Sequence, residues 1–255
     1  MILTNIQREI IIGCTLGDLH IEQSPNGQKA RLVFEYSIKQ TEYVLHLYET
    51  FKDWVPGEVK TRERKNGTKL IGFKTKYDGV FRFYRQQFYD INGKKIISKI
   101  LNKVLTARSI AYWYMDDGSL KSKQSKGVIL NTHNFSKKEI EALCFILNDK
   151  FQLQCKPRKQ KHLINNETRI YYQIYISGYS YDILRKLIFD YLLPEMYYKF
   201  PKPRSIKKFN EHNCPKGNGG VQRFPQAGRK SAVECKGIRE LDCKTNKSSR
   251  GESRP

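Results

Sequence analysis

Two short apolar segments, each ending on aspartate, lie 99 residues apart in this 255-residue chain, counted from Asp18 to Asp117. Residues 11–19 read IIGCTLGDL and residues 110–118 read IAYWYMDDG. Each is apolar on nearly every face and so reads as a helix that buries most of its surface. A carboxylate at the C-terminal end of such a helix adds to the negative end of the dipole and is electrostatically unfavourable there. One occurrence would mean little. A second at the matched position points to a purpose.

Each segment opens the same succession of elements. In the first half, residues 4–17 read as a helix capped by Thr4 or Asn5, residues 31–38 as a strand, and residues 41–54 as an amphipathic helix. Residues 58–65 and 69–76 read as a hairpin turned at Asn66-Gly67, and residues 80–88 as a short helix. In the second half, residues 107–116 form the apolar helix and 127–133 a strand; Ser136 and Glu139 form a capping box on a helix over 136–151. Residues 153–161 and 169–177 pair as strands, and 179–191 close the half as a helix. The expectation is an α+β chain of two pseudo-symmetric αββαββα halves: residues 1–90, a linker over 91–106, and residues 107–208. A basic tail over 209–255, rich in Pro, Gly, Lys, Asn and Ser, is read as disordered.

Composition narrows the partner. The chain carries 47 Lys+Arg against 25 Asp+Glu, a net charge of +22, of which +9 falls in residues 201–255 and +13 in the body. Its six cysteines contain no CxxC pair, so neither a disulfide framework nor a zinc module is expected, including around His212. No stretch nears the roughly 18 apolar residues of a membrane span, and the first twelve residues lack the basic-then-apolar order of a secretion signal. An intracellular polyanion binder is expected. Basic residues lie in runs among aromatic and β-branched residues, over 60–65, 69–76, 121–126 and 156–161. Alternation places one set of these side chains outward on sheets that can track phosphates and read base edges. Gln23, Arg31, Arg62, Arg64, Lys74, Lys76, Lys121, Arg158, Lys159 and Arg169 are the candidate DNA contacts.

The two motif segments, with SIAYWYMDDG at 109–118, VILNT at 128–132 and LLPEMYYKF at 192–200, resemble the LAGLIDADG homing endonucleases in their monomeric two-motif form. The first copy ends in Leu19 where the family has Gly, and Tyr112 stands in the second where Gly13 stands in the first. The resemblance covers most of residues 4–205. It implies motif helices packed together at the interface, with Gly13, Gly17 and Ala111 permitting a close approach, and antiparallel β saddles over DNA.

What the resemblance implies for chemistry is a site-specific double-strand DNA endonuclease of intron homing, acting on a long recognition site as a monomer in an organelle. Asp18 and Asp117 would hold Mg²⁺, with Mn²⁺ able to substitute, aided by the carbonyls of Gly17 and Asp116. Asp116 competes with its neighbour, but the motif register pairs Asp117 with Asp18. Lys95 and Lys199 match the family's basic positions, with Lys94 one residue from the first; a plain phosphate contact is the other reading of both. His20, two residues after Asp18, reads as a polar strand residue or as a further member of the shell. The alternative function is a maturase that binds group I intron RNA on the same scaffold.

Overall fold

The computed structural model describes residues 1–164 and 167–202, all within one compact unit, Met1–Ser205. The tail, residues 203–208, and Cys214, Cys235, Cys243 and His212 lie outside the described residues.

Helix α1 (Asn5–Leu16) starts at Thr4, whose hydroxyl accepts from the Gln7 backbone while the Gln7 side chain accepts from the Thr4 N–H. This capping box fixes the helix start at Thr4. Strands β1 (His20–Gln23) and β2 (Ala30–Ser37) follow, then helix α2 (Thr41–Phe51), strands β3 (Lys60–Glu63) and β4 (Lys69–Lys74), and helix α3 (Gly79–Phe88). The β3–β4 turn falls at Asn66-Gly67, with Gly67 at φ +78° and Arg64 and Thr68 paired through the backbone. The sheet is antiparallel in the order β1-β2-β4-β3. Strand β2 alternates strictly: Ala30, Leu32, Phe34 and Tyr36 are buried, while Arg31, Val33, Glu35 and Ser37 face the open side. Phe34 stacks on Phe73 at 4.8 Å and packs against Phe51 of α2 at 5.3 Å, so the helices cover one face of the sheet.

The second half repeats the arrangement: α5 (Ala107–Asp117), β5 (Gly118–Leu120), β6 (Val128–Leu130), α6 (Lys137–Phe151), β7 (Cys155–Ile164), β8 (Glu167–Ile176) and α7 (Tyr181–Ile188). Its sheet has the matching order β5-β6-β8-β7, again antiparallel. Val128, Leu130, Ile174 and Ile176 bury their side chains, as do Ile140, Leu143 and Leu147 of α6. The Ser136–Glu139 capping box is present, and the Glu139 carboxylate also accepts from the Ile97 N–H of the connecting segment.

The structure corrects two readings of the sequence and gives detail to two more. The strands after the motif helices, β1 three residues beyond α1 and β5 directly after α5, are too short to show a period. The strand expected over 127–133 ends at Leu130: the Asn131 N–H still donates to the Asp117 carbonyl at 3.0 Å, but the Thr132 N–H folds back onto the Leu130 carbonyl at 3.1 Å. The closing helix over 179–191 is a two-turn α-helix between 3₁₀ turns. The linker over 91–106 contains the single turn α4 (Leu101–Val104), and Leu101 and Leu105 are fully buried.

Candidate active site at the paired motif helices

Helices α1 and α5 meet at near-atomic contact. A Cβ on Gly13 would stand 2.3 Å from the Ser109 carbonyl oxygen, and one on Gly17 would stand 2.5 Å from the Asp116 side chain. Only glycine lets the α1 backbone come this close. The Ser109 hydroxyl donates to the Glu9 carbonyl at 2.9 Å, and Arg108 pairs with the Glu9 carboxylate at 2.9 Å, fixing the other end of the helix pair. Tyr112, the departure from the motif, is accommodated by a 2.6 Å hydrogen bond between its hydroxyl and His46 Nε2.

This packing brings both motif ends together. Asp18 lies just past Gly17, the C-cap of α1, and is exposed; Asp117 is the last residue of α5 and is half-buried. Asp116 and Asp117 are adjacent on a helix and so point in directions about 100° apart. Asp116 turns inward. Its Oδ2 accepts the Asp18 backbone N–H at 3.0 Å, and its Oδ1 accepts the Tyr43 hydroxyl at 2.9 Å and the Tyr36 hydroxyl at 3.3 Å. Burial and then the Asp18 charge push its carboxyl well above the usual range. Asp116 therefore anchors the second motif to the first half, its carboxylate engaged by the Asp18 backbone, Tyr36 and Tyr43. Asp117 itself is pushed up to about 7, first by burial and next by the Asp18 carboxylate. Asn131 holds the Asp117 carbonyl through its side-chain amide, at 2.9 Å, as well as through its backbone.

Lys95 and Lys199 occupy equivalent places. The Lys95 ammonium donates to the Gly17 carbonyl at 2.5 Å, and the Lys199 ammonium donates to the Asp116 carbonyl at 2.9 Å and to the Met115 carbonyl. Each lysine thus grips the peptide just before a motif aspartate, and the register of Asp18 with Asp117 appears in space. Burial lowers the pKa of both lysines, opposed by the nearby aspartates. Lys94 lies on the preceding turn, its N–H bound to Asp90. His20 begins β1, its ring edge-on to Tyr89 at 5.9 Å, which is the strand reading.

A groove of about 1030 Å³ runs from Asp18 along the open face of the first sheet to Arg62 and Arg64. Arg31, Arg62, Arg64 and Lys74 lie along this face. Arg158, opposite Gln173, and Arg169, opposite His162, share the open face of the second sheet, and Lys121 lies 5.0 Å from the ring centroid of Tyr175 there. Three candidates fall elsewhere. Gln23 folds its amide onto the Gly27 carbonyl at 3.1 Å, Lys76 lies beside Met1 and the Trp54 ring, and Lys159 has the opposite parity to Arg158. The sequence reading missed Glu22 and Glu35, which pair with the arginines of the first sheet, and Asn131, Tyr36 and Tyr43, which position the motif ends. Asn131 stands in the VILNT segment that carried the resemblance; the two tyrosines gave no signal beyond apolar periodicity.

Comparison with known proteins agrees with this geometry. The model of the LAGLIDADG DNA endonuclease family matches residues 8–184. A probable intron-encoded endonuclease of Wickerhamomyces canadensis is 35% identical over 208 residues, covering 77% of this chain and 84% of its own length. The cytochrome b mRNA maturase bI2 of Saccharomyces cerevisiae is 30% identical over 203 residues, 74% of this chain but 46% of the maturase. Among solved structures, the homing endonuclease I-WcaI bound to its DNA recognition sequence is 33% identical, with a TM-score of 0.66 over 78% of this chain and 87% of that one. With two glycine-packed motif helices, each ending at an aspartate beside a lysine-bound peptide, and a family match over most of its length, the chain belongs to the LAGLIDADG DNA endonuclease family.

Proposed function

We propose that this chain is a monomeric homing endonuclease that makes a double-strand break at a long, specific DNA site. The observation that carries the proposal is the symmetric pair at the helix ends: Asp18 with Lys95 on Gly17, and Asp117 with Lys199 on Asp116. A two-strand cut needs two equivalent sets of groups, and duplex DNA presents its two backbones with matching pseudo-symmetry.

The donor set suits a divalent cation. All donors are hard oxygens, and the Asp117 carboxyl is raised to about 7 by burial and by Asp18, a cost that a cation between the two would remove. Asp18 and Asp117 would hold Mg²⁺, with Mn²⁺ as a substitute. The carbonyls of Gly17 and Asp116 already accept from the lysines, so they would contribute through their second lone pairs. A divalent cation held there would supply a water of lowered pKa and a Lewis acid for the scissile phosphate. Lys95 and Lys199 fix the peptides that aim the aspartates, and their ammonium groups would supply positive charge to a scissile phosphate as it becomes more negative. The basic open faces of the two sheets hold and read the duplex.

The relative named as an intron-encoded endonuclease supports an intron-encoded protein, and the cytochrome b mRNA maturase supports an organelle as its compartment. The maturases among the relatives also keep intron RNA as a second partner to test. No helix among the described residues is long and apolar enough to cross a membrane. The test is selection of cleaved duplexes from a randomised library, with Mg²⁺ and with EDTA. A single long consensus recovered only with Mg²⁺ is expected, and cleavage without sequence preference, or none, would overturn the proposal.

A further inference from the structure

A line of side chains runs from the open face of the second sheet to the Asp117 peptide. The Asn131 amide donates to the Asp117 carbonyl at 2.9 Å and lies 3.3 Å from Ser119 Oγ, and Gln173 Nε2 donates to Asn131 Oδ1 at 2.7 Å. The same Gln173 nitrogen lies 3.1 Å from His133 Nε2. Gln173 is only 6% exposed, and its Oε1 has no partner among the described residues, so its NH₂ group alone holds it in line. The first half has no counterpart. Extending the strand registers places Glu35 where Asn131 stands and Gly72 where Gln173 stands, and Glu35 is bound to Arg62 at 2.6 and 2.7 Å.

Hydrogen-bond chemistry allows this line one orientation. The Asp117 carbonyl can only accept, so Asn131 turns its NH₂ group to it and its Oδ1 to Gln173. That oxygen can only accept, so Gln173 answers with Nε2, and His133 Nε2 must accept the remaining N–H. His133 is therefore neutral, with its proton on Nδ1. A second proton, on Nε2, would set donor against donor. Rotating Gln173 to offer Oε1 would satisfy His133 but set oxygen against Asn131 Oδ1. Either way Asn131 loses its partner.

His133 is within reach of that second proton. Its ring is exposed, edge-on to His162 at 6.0 Å and to Tyr171 at 5.5 Å. The other charged groups on this face are Lys121, Lys156, Arg158 and Arg169, with Glu167 at the hairpin end. Shielding of the ring and then the His162 charge lower the His133 pKa from its ordinary 6.5, so the line is intact at neutral pH.

We propose that His133 and Gln173 are positioning residues for Asp117, and that protonating His133 uncouples them, slowing the strand cut made beside Asp117 relative to the cut beside Asp18. The proposal rests on the endonuclease reading above. Protonation also adds positive charge to a face that meets phosphate, so acid tightens binding through His133 while it slows one cut. A plain DNA contact would act on both strands alike.

The test is single-turnover cleavage in Mg²⁺ of the selected duplex, labelled on both strands, near pH 8 and near pH 5.5, reading the ratio of the two nicking rates. In wild type this ratio should shift by about tenfold towards acid. His133→Gln places an acceptor near the position of Nε2 and does not titrate, so most of that shift should vanish. His133→Lys can only donate, and should hold the ratio at its acid value even near pH 8 while binding DNA in EDTA as tightly as wild type or more so. Gln173→Met should shift the ratio by about tenfold at both pH values. Identical ratio profiles for wild type and His133→Gln would overturn the proposal, as would a His133→Lys protein with the wild-type ratio near pH 8. A wild type that cuts neither strand near pH 8 would overturn the endonuclease reading instead.

Discussion

Replacing Asp117 by asparagine should stabilise the metal-free protein, and only on the alkaline side. Burial and the Asp18 carboxylate raise the Asp117 carboxyl from its ordinary 3.8 to about 7. The fold therefore prefers it protonated. Its favourable contribution is fully present below about pH 3.8, declines as pH rises, and is gone above about 7. The interval between those values corresponds to about 4 kcal/mol if the group were wholly shielded. Because Asp117 is half-buried, water screens part of this, and about 2 kcal/mol is the expected size. Asparagine does not titrate, so the variant escapes the loss. In EDTA, urea unfolding of wild type and Asp117→Asn should give similar stabilities near pH 4.5 and a gap of about 2 kcal/mol in favour of the variant near pH 8. Magnesium at about 100 times its dissociation constant should then add about 2.7 kcal/mol to the wild type and little to the variant. A stability difference that does not change between the two pH values would refute the placement of Asp117 beside a second carboxylate in a shielded site.

Three other outcomes follow from the same geometry. Gly13→Ala places a Cβ 2.3 Å from a backbone oxygen of the partner helix, which cannot move aside as a side chain would. A loss of about 3 kcal/mol or more is expected in thermal or urea denaturation. Lys95→Met and Lys199→Met remove the ammonium groups bound to Gly17 and Asp116, and single-turnover cleavage should slow by about a hundredfold or more while DNA affinity changes little. Affinity for duplex DNA should fall with salt on a log–log slope near −7, as for contacts to about eight phosphates, measured by fluorescence anisotropy.

Most of the architecture was legible where local chemistry is strong. Asn66-Gly67 marked its hairpin, Ser136 and Glu139 their capping box, and the alternation of β2 its buried face. Short strands such as β5 are set by the helix before them and by their partner, so three residues carry no period of their own. At the site, matched spacing picked out Asp18 and Asp117, and motif context picked out Lys95 and Lys199, which the structure brings to the preceding peptides. The inward turn of Asp116 was not legible, since its hydroxyl partners Tyr36 and Tyr43 come from the other half and meet it only once the helices dock. Nor was the pairing of Glu35 with Arg62, which depends on the register of two strands separated by α2 and β4. Parity along a strand decides which neighbours share a face, and so separated Arg158 from Lys159.

The central claim is that Asp18 and Asp117 together form the cleavage centre at the end of the helix pair. Its most direct test is to measure cleavage and binding of the selected site by wild type, Asp18→Asn and Asp117→Asn in Mg²⁺. Loss of double-strand cleavage in both variants, with DNA affinity retained within about threefold of wild type, is the predicted result. Full cleavage by either variant would contradict it.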